Sequence, residues 1–303
     1  MNSLNKDLKI KYFKEYTSSN FYKNFQIKEN SNSNDDINLE KDGQDFVIKK
    51  TWADPIKGIE SIKKQIKFGE IRLNSLIVRS PTVFYTQKLS DQKFVAKMEY
   101  IDGFSGPEIV KNGSRKISLS LKEALSTVIN KNIENSNVEK ITAKVFISKI
   151  DQIIKNNLDH NFNEMLIFLK NKFYSQNIIE LPIGPCHGDL TLSNIIVSPT
   201  GSLNLIDFLP TFIESPIWDI VKIYQDLKYG WSYRNIEGPR HASAKLFFQS
   251  CMPNQISIYN RIWKSEILLL NSLNLSRLIP YIKDENTKQW VLSKLRESLK
   301  EIS

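Results

Sequence analysis

The sequence predicts an α+β fold in two lobes: a five-stranded antiparallel sheet carrying one helix, then a larger, mainly helical lobe. Three observations lead there. Apolar–polar alternation with a period of two is concentrated in the first hundred residues. Helical periodicity dominates from Gly103 to Tyr174 and resumes after Pro216. Between those helical stretches, Cys186 opens a polar loop-and-hairpin.

Taken in order, Phe25-Gln26-Ile27 and Ile37-Asn38-Leu39 each alternate, with the Ser/Asn stretch Asn30 to Asn34 as a loop between them. Asp42-Gly43 supplies the φ > 0 residues of a tight hairpin turn before Phe46-Val47-Ile48. From Lys57 to Leu76 the period changes. Ile59, Ile62, Ile66, Glu70 and Leu73 fall on one side at helical spacing, which predicts an amphipathic helix with a carboxylate on its buried face, ended by Ser80-Pro81. Thr82 to Tyr85 and Lys93 to Met98 complete the sheet, and Asp102-Gly103 closes it. The lobes are thus expected at 1–102 and 103–303, with a cleft between them.

The composition restricts function. The 303 residues are 41% hydrophobic and 25% charged, which supports two cores and excludes disorder as the main state. Two cysteines and three histidines cannot build a disulfide scaffold or readily a structural zinc site, so a reducing cytoplasm is the expected location. No stretch approaches a membrane-spanning length, and the first residues read as neither a secretory signal nor an anchor. Forty-two Lys and Arg against 33 Asp and Glu give +9, which suits an anionic partner. The basic residues are spread along the chain without a basic–aromatic stripe, so nucleic acid is not the expected one.

The densest chemical signal is the run from Cys186-His187-Gly188-Asp189 through Ser193-Asn194-Ile195, followed by a turn at Thr200-Gly201 and by Ile206-Asp207-Phe208. An Asn oxygen plus an Asp carboxylate meets the preference of magnesium for a few hard ligands, the remaining positions going to water and phosphate. A carboxylate not spent as a ligand is of the right type to orient and deprotonate an attacking hydroxyl. The run resembles the His-Gly-Asp-x-x-x-x-Asn and Ile-Asp-Phe motifs of the aminoglycoside phosphotransferase and choline kinase superfamily. Pro216-Ile217-Trp218-Asp219 matches the Pro and Asp that follow in that family, with Asp219 twelve residues after Asp207.

The resemblance implies a protein-kinase-like fold and transfer of the γ-phosphate of ATP, with Mg²⁺, to a hydroxyl of a small molecule. By motif position it implies Asp189 as catalytic base, Asn194 and Asp207 as metal ligands, His187 as a holder of the loop, and Asp219 as a brace for it. It also calls for a strand lysine facing the phosphates and a helix glutamate positioning that lysine. Alternation puts Lys49 and Lys50 on opposite faces of their strand, and Lys49 is preferred. Between Glu60 and Glu70, Glu70 aligns with the apolar stripe and stands eleven residues before Pro81. Backbone groups of Glu99 and Ile101 are expected to hold adenine. The loop over the phosphates would be Ser31, Asn32 and Ser33, where protein kinases carry glycines.

The expected acceptor is neutral or anionic. From Leu209 to Ser303, 13 Lys and Arg face 9 Asp and Glu, whereas a polycationic aminoglycoside calls for surplus carboxylates. Trp231, Tyr233, Arg234 and Arg240 are the candidate acceptor contacts. The leading acceptor is a sugar or sugar-like metabolite, as used in surface polysaccharide; a choline or ethanolamine kinase, or a non-catalytic kinase-like nucleotide-binding protein, is the alternative.

Overall fold

A computed structural model of the chain describes residues 36–42, 45–73, 76–106, 108–109, 115–157, 159–198, 201–234 and 239–303. Its strands are β1 (Asp36–Asp42), β2 (Asp45–Trp52), β3 (Glu70–Leu73), β4 (Leu76–Arg79), β5 (Val83–Ser90), β6 (Lys93–Glu99), β7 (Phe104–Ser105), β8 (Asn137–Thr142), β9 (Ile178–Ile183), β10 (Ile195–Val197) and β11 (Ser202–Leu205). Its helices are α1 (Pro55–Phe68), α2 (Arg115–Glu134), α3 (Lys144–Lys155), α4 (His160–Gln176), α5 (Pro216–Leu227), α6 (Pro239–Ser250), α7 (Asn254–Ile262), α8 (Lys264–Leu278) and α9 (Glu285–Glu301). Among the described residues, no helix is long and apolar enough to cross a membrane.

The chain divides into two compact units, one of residues 1–106 with 194–210, the other of 107–193 with 211–303. The first unit holds an antiparallel sheet in the order β1-β2-β6-β5. Asp42 pairs with Asp45, so β1 and β2 form the hairpin expected around Asp42-Gly43. The described sheet has four strands rather than five, because the expected strand at Phe25–Ile27 lies outside the described residues.

α1 packs on this sheet through a core of Trp52, Ile62, Phe94, Ala96 and Met98. It starts where the chemistry dictates: the Asp54 side chain accepts from the Ile56 and Lys57 N–H groups, and Pro55 takes the first turn. It stops earlier than the periodicity suggests. Gly69, at φ +62°, ends it after Phe68, so the expected helix to Leu76 is instead a helix followed by the β3–β4 hairpin. A second sheet in the same unit, ordered β3-β4-β11-β10-β7, joins this hairpin to the polar hairpin of residues 195–205, with β4 and β11 parallel.

The second unit is mainly helical, with β8 and β9 as an antiparallel pair. Its core includes Phe146, Phe162, Leu166, Phe173, Ile217 and Trp218, all buried.

Candidate functional site

The two expected metal ligands are brought together by the β10–β11 hairpin. Ile195 pairs with Leu205, and one step further out the Ile206 N–H donates to the Asn194 carbonyl at 3.0 Å. Asn194 and Asp207 therefore flank the open end of one hairpin. Asp207 adopts φ +61°, a left-handed conformation that Asp tolerates better than most side chains, as the strand turns into the following loop. The Asn194 amide and the Asp207 carboxylate offer hard oxygen donors with little charge, the donor chemistry that suits Mg²⁺ shared with phosphate. No group of three or more His, Cys, Asp and Glu with metal-binding geometry occurs among the described residues.

The lysine on Asp207 is Lys50, not Lys49. The Lys50 Nζ lies 2.6 Å from the Asp207 Oδ1, is buried, and sits 5.0 Å from the Trp52 ring centroid. Lys49 is on the opposite sheet face, paired with Glu40 at 3.1 Å, and Lys97 shares that carboxylate at 3.3 Å. Strand parity was the right criterion, but the face covered by α1 is the one carrying Lys50 and Trp52.

The expected helix glutamate is also corrected. Glu70 begins β3 and pairs with Arg72 at 2.5 Å, because Gly69 has already ended the helix. Glu60 is exposed. On α1, Lys64 instead donates to the Leu209 carbonyl at 2.7 Å, and buried Gln65 donates to the Pro81 carbonyl at 2.9 Å. Phe68, in the last turn, packs against Phe208 with tilted rings and centroids 5.4 Å apart. The Asp207-Phe208-Leu209 segment is thus tied to α1 and β2 at three successive residues.

Glu99 ends β6, its carboxylate gripping Arg79 through two bonds of 2.6 Å and accepting from the Thr82 N–H at 3.0 Å. Arg79 holds this carboxyl below the usual carboxylate range, against the opposing effect of burial. The Glu99 N–H donates to the Thr82 carbonyl, while the buried Ile101 makes no backbone hydrogen bond to another described residue. Ser31, Asn32 and Ser33 lie outside the described residues.

In the helical unit, Asp189 sits on the loop after β9. Asp219, in the first turn of α5 and fully buried, accepts the His187 N–H at 2.8 Å and the Gly188 N–H at 2.9 Å. Gly188 is at φ +87°, a conformation open to glycine at no steric cost. The buried His187 accepts the Asp189 N–H at Nδ1, which leaves its ring proton on Nε2. Sequence reasoning missed Lys222, whose Nζ lies 2.9 Å from the Asp189 Oδ1; three residues beyond Asp219, it had no motif to mark it.

It also missed Asp226, which accepts the Leu192 N–H at 2.5 Å and both the N–H and the hydroxyl of Ser232, at 2.9 and 2.6 Å. Burial pushes this carboxyl up to about 6. The Trp231–Tyr233 segment that Asp226 anchors is a short 3-10 helix rather than an open loop. Tyr233 is buried, its hydroxyl pushed up to about 12, and Arg234 stacks 4.1 Å over the Trp231 ring while donating to the Trp231 carbonyl at 2.7 Å. Tyr233 is thus buried, while Trp231 and Arg234 remain half-buried. Arg240 follows Pro239 in the first turn of α6, and its side chain lies outside the described residues.

No protein-family model matches the sequence, and no curated protein matches it. Solved structures do. A thermostable mutant of the aminoglycoside phosphotransferase APH(4)-Ia, in its apo form, is similar with a TM-score of 0.57 at 10% identity, over 88% of this chain and 94% of that one. A ternary complex of that phosphotransferase with ADP and hygromycin B is similar with a TM-score of 0.55 at 11% identity, over 88% and 93%. The choline kinase LicA from Streptococcus pneumoniae is similar with a TM-score of 0.52 at 14% identity, over 88% and 90%. The chain has the fold of the aminoglycoside phosphotransferases and choline kinases. This is the fold that the His187-Gly188-Asp189 and Ile206-Asp207-Phe208 motifs imply, reached independently through backbone shape.

Proposed function

We propose that the protein is an ATP- and Mg²⁺-dependent phosphotransferase that moves the γ-phosphate to a hydroxyl of a small molecule. The observation that carries this reading is the Lys50–Asp207 pair beside Asn194 at the mouth of one hairpin. It supplies, on neighbouring elements, the cation and hard oxygens that a triphosphate requires. The fold, shared with a phosphotransferase whose structure holds ADP, supports the same reading.

In this reading Asn194 and Asp207 would hold Mg²⁺, which would supply neutralisation of the phosphate charge. Lys50 adds a second positive charge. Backbone groups of Glu99 and Ile101 take the adenine, and Ser31, Asn32 and Ser33 keep their place as the loop over the phosphates. Asp189 orients the acceptor hydroxyl and takes its proton as the acceptor oxygen bonds to the γ-phosphorus and the bond to the ADP oxygen breaks. Asp219 fixes the Asp189 loop through two backbone hydrogen bonds, and Lys222 satisfies one Asp189 oxygen. The acceptor is a sugar or sugar-like metabolite, neutral or anionic, of the kind used in surface polysaccharide, and the enzyme acts in the cytoplasm. An amino-alcohol acceptor is the second reading, since LicA is a choline kinase of the same fold.

The test is ADP formation by purified protein with Mg-ATP and pooled acceptors: sugars and sugar phosphates, amino alcohols, and aminoglycosides. Acceptor-stimulated ADP in one pool, abolished in Asp189→Ala, is the expected result. Equal ADP formation by wild type and Asp189→Ala would refute the mechanism.

A further inference from the structure

The helical unit holds three cations on neighbouring groups: Lys222 at Asp189, and Arg277 and Lys149 at the Phe212 ring. Lys222 already neutralises the Asp189 carboxylate at 2.9 Å. Trp218 precedes Lys222 by four residues on α5 and so lies on the same helix face. The Arg277 guanidinium is stacked there, 5.6 Å from the Trp218 ring centroid and 5.5 Å from that of Phe212, the two rings being 5.3 Å apart. Lys149 approaches the same Phe212 ring at 5.7 Å and donates to the Gln152 side chain at 3.1 Å.

Arg277 is half-buried, yet among the described residues no carboxylate lies within ion-pairing distance and no acceptor takes its N–H groups. Among the described residues the buried indole N–H of Trp218 has no hydrogen-bond partner either. Burial lowers the Arg277 guanidinium from its ordinary value, partly offset by the Asp189 charge and the Tyr281 hydroxyl. A guanidinium held on aromatic rings and short of acceptors, in the unit where Lys222 already neutralises the Asp189 carboxylate, is matched by an anion. Its planar fork fits two oxygens of one phosphate or carboxylate.

We propose that the acceptor carries an anionic group, a phosphate or a carboxylate, which Arg277 grips with Lys149 as the second cation while the acceptor hydroxyl lies at Asp189. The inference rests on the kinase reading for the hydroxyl and on the cation cluster for the anion, so the two can fail separately. It narrows the acceptor to a hydroxylated phosphate or acid and disfavours the cationic acceptors. Arg277 is then a specificity-determining residue on α8, 88 residues beyond Asp189 in sequence.

Two measurements on the full chain test it. Calorimetric titration with a sugar phosphate, a sugar acid and the parent neutral sugar should show binding of one or both anions. Arg277→Gln should weaken that binding at least about tenfold, with Arg277→Lys intermediate and Lys140→Gln, an equal charge change on β8, unaffected. Equal losses in Arg277→Gln and Lys140→Gln, or unchanged binding in Arg277→Gln, would overturn the proposal. In turnover with Mg-ATP, the anionic acceptor should exceed its neutral parent in kcat/KM, and Arg277→Gln should raise KM more than it lowers kcat. Preferred turnover of a neutral or cationic acceptor would overturn the proposal and leave the kinase reading standing. Anion binding lost in Arg277→Gln, with no phosphoryl transfer to any acceptor, would support the anion site and refute the kinase reading.

Discussion

At the residue scale, the Lys49 and Lys50 pair gives the sharpest prediction. Both are lysines on one strand, but only Lys50 meets Asp207. Lys50→Ala should lower kcat/KM for Mg-ATP by about a hundredfold or more, the scale for removing a charge-stabilising donor. Lys49→Ala should stay within about threefold, since its partner Glu40 lies on the other sheet face. Steady-state kinetics on the two variants decides, and the reverse ranking would refute the assignment. Asp219→Ala should destabilise the protein by about 2–4 kcal/mol, because two buried N–H groups lose their acceptor. Denaturant unfolding measures it, and an unchanged midpoint would contradict the bracing role. Asp226 links charge to pH. Its carboxyl, raised by burial from 3.8 to about 6, contributes stability that is fully present below about pH 4 and is lost as pH rises through 6. The stability of wild type relative to Asp226→Asn should therefore decline between pH 4 and 6 and level off above. Parallel pH curves for the two proteins would show that Asp226 does not titrate in this way. The motif positions Asp189, Asn194, Asp207 and Asp219 were legible because they sit in one short run with fixed spacing. Lys222 and Arg277 were not, since only tertiary packing brings Lys222 to Asp189 and Arg277 to the Trp218 ring.

At the scale of elements, the helix end is what the sequence pattern hid. Ile66, Glu70 and Leu73 continued the apolar stripe, yet Ile66 is 60% exposed and the helix has already stopped at Gly69. A glycine at that position was the available signal, and the periodicity overrode it. Two glycines separate a need for space from a need for conformation. A Cβ at Gly69 meets nothing within 4 Å, so Gly69→Ala should cost only backbone strain, about 1–3 kcal/mol, because φ +62° with ψ −121° lies outside the left-handed helical region. A Cβ at Gly103 would stand 2.5 Å from the Val197 carbonyl oxygen and 2.9 Å from its carbon, so the β10 backbone must move. Gly103→Ala should therefore lower the melting temperature more than Gly69→Ala and also weaken Mg-ATP binding, because β10 begins next to Asn194. Thermal melts with and without Mg-ATP compare the two, and equal effects would refute the ranking.

At the scale of the whole molecule, the sequence divides the chain at 102, and in the structure residues 194–210 belong to the N-terminal unit as well. The reason is the parallel pairing of β4 with β11, a contact across more than a hundred residues that no local pattern reports. A fragment of residues 1–106 lacks two strands of its second sheet and should not unfold cooperatively, whereas a cooperative melt of that fragment would contradict the assignment. The central claim is phosphoryl transfer, and phosphorus NMR of Mg-ATP with an acceptor follows it most directly. The expected result is a new phosphate-ester resonance appearing in step with ADP in wild type and absent in Asp189→Ala. ADP accompanied only by inorganic phosphate, equally in both proteins, would contradict it.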